Sequence, residues 1–315
     1  MKIIRILLVL VVSLMIFSDF AFADANQKKA EAYIKDGTKY YNRDNMAKAK
    51  SCFQRAIQAN PEFSTAHFNL AVVLVRLGEK DTAIAEYKEA LRLNPQDSVA
   101  GTNLGNLYAE DGKIDLALLE YNKAIKIDPQ SAMAHSSLGN LCFKQGKYND
   151  AVKEFKEVVR LVPEEIYGHN NLGNAFYKQG NYDEAIAQYN LALEIDPRAV
   201  YLLTNKAQAY IRKGSYAFAL SCLNQAKKYD PGNATAYNFL GNVNLLKGQY
   251  KEAIECYKKA VSLKKDYAEA YYQLGKLYRY DNKEESEKYF KQYIECGTDP
   301  VRRARANRYL KWAQQ

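Results

Sequence analysis

The sequence predicts an all-α protein, a solenoid of stacked helical hairpins, and three observations lead to this prediction. A 34-residue segment, Ile166 to Ala199, recurs along most of the chain with almost no insertion or deletion. Inside it lie two runs with the apolar spacing of an α-helix, separated by Gly180. Pro197 follows the second run and cannot continue it, because proline lacks an amide hydrogen. Two helices joined by so short a turn fold back on each other, so each segment is expected to form one hairpin.

The first residues have the features of a secretory signal peptide and not of the repeated fold. Lys2 and Arg5 precede an apolar segment of 12 residues, Ile6 to Phe17. A small-residue cleavage site ends at Ala23. The apolar segment is shorter than the roughly 20 residues that cross a bilayer. We therefore expect cleavage after Ala23 and a periplasmic or secreted bacterial protein, and an uncleaved N-terminal anchor is the alternative.

Three positions of the repeat carry most of the pattern. When each repeat is numbered from 1 to 34, position 8 is always glycine or alanine, position 20 is alanine in seven repeats, and position 32 is proline in six. Small residues let the paired helices pack closely, and the tyrosines at position 24 are expected in the core. The predicted domains are a signal peptide (1–23), a short extension (24–29), eight repeats (30–63, 64–97, 98–131, 132–165, 166–199, 200–233, 234–267 and 268–297) and a capping helix (298–315).

Departures from the pattern are local. Asn45 and Asn282 are placed where the other six repeats have the turn glycine, and the eighth repeat is one residue short in its turn. Lys265 replaces the seventh proline. The repeat register is expected to persist through these changes.

At positions 8, 20 and 32 the chain resembles the tetratricopeptide repeat family, from Ala30 to about Gly297. The resemblance implies a right-handed superhelical solenoid of helix-turn-helix repeats, here eight of them. It also implies that the first helix of each pair lines the concave side, and that this surface holds protein partners. The partner itself is not named by the resemblance.

Residues after Thr298 are predicted to form the capping helix, because the last repeat of a solenoid exposes an apolar face. Ala306, Tyr309 and Leu310 fall on one apolar stripe of this helix. Its five basic residues form either a solvated face or a peripheral contact with an anionic surface. The chain has a net charge of +9, yet the predicted export argues against nucleic acid as a partner.

The five cysteines are expected to be buried free thiols. Cys52, Cys222 and Cys256 share position 23, and Cys142 stands where other repeats have tyrosine or phenylalanine. Such positions suit cysteine as a small apolar core residue. Equivalent positions in adjacent repeats are too far apart for a disulfide.

The sequence offers no active site. Its three histidines, His67, His135 and His169, all occupy position 4, and equivalent positions cannot converge on one metal ion. They are expected to pack in place of an aromatic residue. The sequence also contains no nucleophile-elbow motif and no phosphate-binding glycine loop. We therefore predict a protein that is not an enzyme, with no metal and no cofactor.

A polar stripe along the first helices is not explained by packing. In the central repeat, Tyr167, Asn171, Asn174 and Lys178 are spaced so that they share one helical face. Asparagine costs up to roughly 0.7 kcal/mol relative to alanine inside a helix, so a ladder of asparagines indicates a ligand. Inheritance from one duplicated unit is the alternative. The predicted partner-binding residues are Asn69, Asn103, Asn106, Asn140, Asn171, Asn174, Asn205, Asn242, Lys144, Lys178, Arg212, Tyr167 and Tyr201.

The ladder suits an extended peptide, because an asparagine side chain offers an acceptor and two donors to the peptide backbone. The N-L-G-N strings at Asn103 to Asn106 and Asn171 to Asn174 resemble the repeat region of the O-linked N-acetylglucosamine transferases. That resemblance implies a grip on substrate backbones. The 18 residues after Gly297 are too few for the catalytic part of such an enzyme. Replacing Asn140, Asn171, Asn174 and Asn205 together by alanine is expected to abolish binding and leave the fold intact, because no core residue is touched.

Two functions remain open. The first is an exported adaptor that holds an extended protein segment, or docks subunits of an envelope complex, in its concave groove. The second is a structural scaffold of an envelope polysaccharide or pilus export machine, with the outer surface and the cap as the contact region.

Overall fold

The computed structural model describes the backbone of residues 25–313 and the side chains as far as residue 311. These residues form seventeen α-helices and contain no strand, which confirms the all-α prediction. The helices are α1 (residues 25–42), α2 (Met46–Ala59), α3 (Ser64–Arg76), α4 (Lys80–Leu93), α5 (Ser98–Glu110), α6 (Ile114–Ile127), α7 (Ala132–Lys144), α8 (Tyr148–Leu161), α9 (Ile166–Gln179), α10 (Tyr182–Ile195), α11 (Val200–Lys213), α12 (Tyr216–Tyr229), α13 (Ala234–Leu246), α14 (Tyr250–Leu263), α15 (Ala268–Tyr278), α16 (Lys283–Cys296) and α17 (Pro300–Ala313).

The turn inside each hairpin is made by one residue with a positive φ. Gly180 has φ +87° between α9 and α10, and five further glycines at the same repeat position share this left-handed conformation. In the first hairpin the residue is Asp44, with φ +58°, so the placement of Asn45 at this position was wrong. Asn45 and Asn282 instead cap the helices that follow, accepting hydrogen bonds from the backbone amides of Lys48 and Glu285.

Position 8 is small because an aromatic ring of the second helix lies directly on it. A Cβ atom added to Gly173 would lie 2.6 Å from Cε1 of Tyr189, and Gly105 and Gly241 meet Tyr121 and Tyr257 at the same distance. The tyrosines at position 24 are buried, and Ala185 at position 20 is fully enclosed. The small residues at position 8 predicted that the paired helices pack closely. In the structure this close contact is between the tyrosine ring of the second helix and the glycine backbone of the first.

The chain divides into two compact units, residues 25–141 and 142–313, and the division falls at the end of α7. Within the first unit α2 to α6 pack in chain order, each helix against the next. Within the second unit α8 to α17 do the same, and the first helix α11 also contacts the first helices α9 and α13.

The predicted capping helix corresponds to α17, which packs against α16. Ala306 and Tyr309 are buried, and Leu310 packs beside them. The ring of Tyr309 lies 5.0 Å from that of Phe290, between ring centroids. The apolar stripe of this helix therefore faces the core, as the sequence predicts.

All five cysteines are free, in agreement with the prediction from sequence. Cys142 and Cys222 are buried, as expected, whereas Cys52, Cys256 and Cys296 are only half-buried. The predicted signal peptide lies outside the described residues. Among the helices that are described, none is long and apolar enough to cross a membrane.

Candidate functional site: the asparagine faces of the first helices

The predicted stripe lies on the accessible side of the first helices. On α9 the stripe begins at Tyr167, which is 66% exposed, and ends at the exposed Lys178. Asn171 and Asn174 lie between them and are half-buried. Leu172, Gly173 and Phe176 are buried on the other side. Lys144, Arg212, Tyr201 and Asn140 are exposed, and Asn69, Asn103, Asn106, Asn205 and Asn242 are half-buried. Each unit thus carries its own part of the stripe, with Asn69, Asn103, Asn106 and Asn140 in the first and the remaining asparagines in the second.

Three of the stripe asparagines hold a buried tyrosine of their own hairpin. The hydroxyl of Tyr121 donates to Oδ1 of Asn106 at 2.8 Å, and that of Tyr189 donates to Oδ1 of Asn174 at 2.8 Å. Tyr257 donates to Asn242 in the same way at 2.7 Å. The residues of each pair are fifteen positions apart, at positions 9 and 24 of the repeat.

Burial keeps these tyrosines protonated. Desolvation raises the pKa of Tyr121 to about 12, and it raises the pKa values of Tyr189 and Tyr257 further. Each phenol is therefore a permanent donor, and the asparagine oxygen its fixed acceptor. The expectation that alanine at Asn140, Asn171, Asn174 and Asn205 leaves the fold intact is wrong for Asn174, because alanine there would leave the buried hydroxyl of Tyr189 unpaired. Alanine at Asn106 or Asn242 would have the same effect on Tyr121 or Tyr257.

The same contact decides which asparagine atoms face a ligand. With Oδ1 accepting from tyrosine, Nδ2 is the side-chain group of each asparagine that is left to bind a ligand. Within the described residues, Nδ2 of Asn106, Asn174 and Asn242 donates to no protein group. At these three positions the asparagine therefore offers a ligand mainly the two hydrogens of Nδ2. From the sequence, each asparagine was expected to offer both a donor and an acceptor, and here the donor is the group that is available.

A residue that sequence reasoning did not assign to the site joins the stripe in the second unit. Asn170 is buried, accepts from Nδ2 of Asn205 at 3.0 Å, and donates to Oδ1 of Asn171 at 3.3 Å. Asn205 also reaches Oδ1 of Asn174 at 3.5 Å. The signal available was position 5, where Thr102, Asn170, Thr204 and Asn238 are all polar yet buried. This network links α9 to α11 through side-chain amides.

The histidines at position 4 tie the hairpin to the turn that precedes it. His67 and His169 are buried and place Nε2 at 3.0 Å and 2.9 Å from the carbonyls of Pro61 and Pro163. Nδ1 lies 2.6 Å from Glu86 in one case and 2.9 Å from Gln188 in the other. His135 is buried as well, with Nε2 at 3.2 Å from the carbonyl of Pro129. They are hydrogen-bonded connectors, a more specific role than the packing predicted for them.

Models of one repeat family match most of the chain. A model described as TPR repeat matches residues 105–146, 139–180 and 241–279. Models described as tetratricopeptide repeat match residues 36–98, 166–198 and 200–233. The chain belongs to the tetratricopeptide repeat family. A curated relative, the uncharacterized protein MJ0572 of Methanocaldococcus jannaschii, is 42% identical over 60 residues, 19% of this chain and 70% of that protein.

Solved structures share the tetratricopeptide repeat fold. PilF of Pseudomonas aeruginosa is 23% identical, with a TM-score of 0.60 over 68% of this chain and 98% of that one. A tetratricopeptide repeat protein of Parabacteroides merdae is 21% identical, with a TM-score of 0.58 over 85% of this chain and 99% of that one. YrrB, described as a TPR protein with an unusual peptide-binding site, is 24% identical, with a TM-score of 0.50 over 58% and 95%. At these identities the likeness concerns the fold.

The remaining stripe residues supply charge and aromatic surface to the tetratricopeptide helices. Arg212 donates from Nε to the hydroxyl of Tyr182 at 3.3 Å and lies over its ring, so this cation is positioned by the first residue of α10 in the preceding hairpin. Tyr201 and Tyr167 occupy position 2 of successive repeats, and Tyr167 adds to a rise in the pKa of Tyr201 that is caused mainly by burial. No cluster of three or more metal-binding side chains occurs within residues 25–313. The arrangement is suited to non-covalent binding of a polar, extended ligand.

Proposed function

We propose that this tetratricopeptide repeat protein is an exported adaptor that holds an extended segment of a partner protein along its first helices. The observation that carries the proposal is the tyrosine–asparagine contact, in which Oδ1 of Asn106, Asn174 and Asn242 accepts from a buried tyrosine and Nδ2 is left as a donor for a partner. Donors held in one orientation lose little rotational entropy when they bind a peptide carbonyl. Asn174 and Asn242 both lie in the second unit, and two such donors within one unit can bind carbonyls along an extended chain.

The aromatic residues at position 2 support the same ligand. Tyr167 is largely exposed, and a phenol ring in that state offers apolar area and a polar tip to a passing peptide. The cations Lys144, Lys178 and Arg212 add a modest attraction for acidic side chains. Recognition would therefore depend mainly on the partner backbone, with some preference for acidic and apolar side chains.

Photo-crosslinking can locate the bound segment. A benzophenone amino acid is placed at Tyr167 on a first helix, and at Phe218 on a second helix, because the two side chains have matched exposures of 66% and 63%. We expect crosslinks to a partner protein from Tyr167 and few or none from Phe218. Crosslinks that arise from Phe218 alone would favour the export-scaffold function, in which another surface makes the contact.

The contribution of the donors is tested by Asn174→Asp combined with Asn242→Asp. Aspartate keeps an oxygen to accept from Tyr189 and Tyr257, and it replaces the outward Nδ2 donor by a second acceptor. The double variant should fold and should lose the crosslink at Tyr167. A crosslink that persists at the wild-type yield would show that these donors do not bind the partner.

Export is a separate part of the proposal. It rests on the basic start, the apolar segment and the cleavage site of residues 1–23. Mass spectrometry of the protein recovered from a bacterial periplasm should give Asp24 as its first residue. Recovery of the full-length chain from the cytoplasmic fraction would contradict export and leave the peptide-binding proposal standing.

A further inference from the structure

A cationic cleft lies between α15, α16 and α17, within residues 142–313 and apart from the stripe residues. Its volume is about 530 Å³. Three rings form its apolar lining, those of Tyr272, Phe290 and Tyr309. Four cations complete the lining: Lys276, Arg279, Arg305 and Arg308. Among the described residues, no carboxylate contributes to this lining.

The basic residues of α17 divide into two groups. Arg302 pairs with Glu269 on α15, and Arg303 donates to the carbonyls of Ile294 and Gly297 at 2.7 Å. These two arginines are occupied in holding the helix in place. Arg305 and Arg308 line the cleft instead. From the sequence, all the basic residues of this helix were expected to form one solvated face or one contact with an anionic surface. In the structure the four arginines have two different kinds of surroundings.

The cations of the cleft have no acidic partner among the described residues. Lys276 donates to the neutral Oε1 of Gln273 at 3.3 Å, and Arg279 lies 5.4 Å from the ring centroid of Tyr309. Ion pairs of this region involve other residues, as in Arg302 with Asp299 and Lys288 with Glu285. Like charges that converge without a counter-charge repel one another, and a bound anion relieves that repulsion.

We propose that this cleft binds an acidic peptide segment whose carboxylates meet the arginines while an adjoining apolar side chain contacts the exposed edges of the rings. A guanidinium presents a planar fork that binds a carboxylate through two parallel hydrogen bonds. Four cations line the cleft, so several carboxylates of one peptide segment match its charge better than a single inorganic anion does. A flat bilayer surface would not enter a concave cleft. The inference adds a second contact and does not rest on the asparagine stripe.

The test uses a short fluorescein-labelled peptide that alternates glutamate and leucine, and a matched peptide with glutamine in place of glutamate. Fluorescence anisotropy should show that the wild-type protein binds the glutamate peptide at least about tenfold more tightly than the glutamine peptide. The reason is that each carboxylate paired with an arginine adds to the binding free energy, and a neutral glutamine makes no such ion pair. Added sodium chloride should weaken the binding.

The variant Arg305→Glu with Arg308→Glu should weaken binding of the glutamate peptide by roughly a hundredfold, about tenfold for each reversed charge. The control is Lys251→Glu with Lys259→Glu on α14, which makes the same change in net charge at exposed residues outside the cleft. The control should bind nearly as well as wild type. Equal losses in the two variants would mean that net charge alone attracts the peptide, and would overturn the proposal.

Other outcomes would also overturn it. Equal affinity for the glutamate and glutamine peptides would show that carboxylates are not recognised. Phosphatidylglycerol vesicles that bind wild type but not the Arg305→Glu, Arg308→Glu variant, with no binding of the peptide, would assign the cleft to a membrane surface. The Asn174→Asp, Asn242→Asp variant should keep its affinity for the glutamate peptide, so failure of the cleft and failure of the asparagine stripe are distinguishable.

Discussion

Two hairpins of this protein, α3–α4 and α9–α10, have the same apolar frame and different polar partners. Each buries a histidine at position 4 on a proline carbonyl, His67 in one and His169 in the other. Each also buries a tyrosine at position 24. The partner of the histidine Nδ1 is the carboxylate of Glu86 in the α3–α4 hairpin and the amide of Gln188 in the α9–α10 hairpin.

The tyrosines differ in the same manner. Tyr189 donates to Asn174 of its own hairpin, whereas position 9 of the other hairpin is Val72. Burial there raises the pKa of Tyr87 to about 12, and a hydrogen bond with Asn103 of the following helix partly offsets this rise. Apolar packing therefore fixes where the buried groups lie, and the partner of each group is chosen separately within that frame.

The largest expected effect concerns position 8, which is Ala71 in the α3–α4 hairpin and Gly173 in the α9–α10 hairpin. Gly173→Leu should destabilise the protein by about 3 kcal/mol, the upper end of the usual cost of overpacking, because the added atoms would overlap the Tyr189 ring. Urea denaturation measures the loss, with Ala71→Gly as a control that should cost about 1 kcal/mol. Hydrogen exchange should quicken in α8 to α11 and stay unchanged in distant helices. Unchanged exchange in α9 and α10 would show that the repeat register is wrong.

The next effect concerns the partner of the buried tyrosine. Asn174→Ala should cost about 1 to 3 kcal/mol for the unpaired hydroxyl of Tyr189, less the roughly 0.7 kcal/mol that alanine gains in a helix. In a Tyr189→Phe background the same substitution should be neutral or stabilising. Thermal or urea unfolding of the four proteins gives the coupling free energy. Additive effects would mean that the hydrogen bond contributes nothing to stability.

The histidine partners predict a pH dependence in one hairpin. The hydrogen bond to Glu86 is the largest cause of a raised pKa at His67, and burial opposes it. Protonated His67 therefore stabilises the fold fully below its unfolded pKa, about 6.5, and this contribution is lost as the pH rises through the folded value. Glu86→Gln should remove up to about 1 kcal/mol at pH 5 to 6 and little at pH 8.

The reciprocal substitution sharpens the same comparison. Gln188→Glu should give the α9–α10 hairpin the pH dependence that the α3–α4 hairpin loses with Glu86→Gln. Nuclear magnetic resonance titration of the two histidines reads out each pKa directly. If the pKa of His67 did not fall in the Glu86→Gln variant, the carboxylate would not be the cause of its rise.

The smallest expected effect concerns cysteine at position 23, the position of Glu86 and Gln188. Burial raises the pKa values of Cys52, Cys222 and Cys256, so little thiolate is present at neutral pH. In the folded protein all five thiols should react slowly with a colorimetric thiol reagent, and unfolding should make them react quickly. Mass spectrometry without reducing agent that found Cys222 bonded to Cys256 would contradict the free-thiol structure.

Position 23 also shows what sequence reasoning could have used. Position 4 is histidine only in repeats where position 23 is glutamate or glutamine, and leucine or tyrosine stands there in repeats with cysteine, as Leu203 does beside Cys222. Positions 9 and 24 show a looser pairing: Asn106, Asn174 and Asn242 accompany tyrosine, whereas Asn140 accompanies Phe155. Each repeat alone gives no hint of these pairs, but comparison across repeats does.

The sequence by itself determined the helical class, the hairpin register and the free cysteines. These depend on periodic properties, such as the small residue at position 8 of every repeat and the proline at position 32 of six repeats. It also determined which face of α9 carries the polar stripe, because helical spacing alone sorts residues onto faces.

Only the tertiary structure decided what the polar side chains do. Whether Oδ1 of Asn174 faces solvent or a tyrosine depends on a ring contributed by another helix, fifteen residues away. The cationic cleft likewise requires α15 and α17 to bring Lys276, Arg279, Arg305 and Arg308 together. Hydrogen bonds and charge clusters are short-ranged and directional, so their partners are set by how helices pack, whereas periodicity along the chain sets only which faces meet.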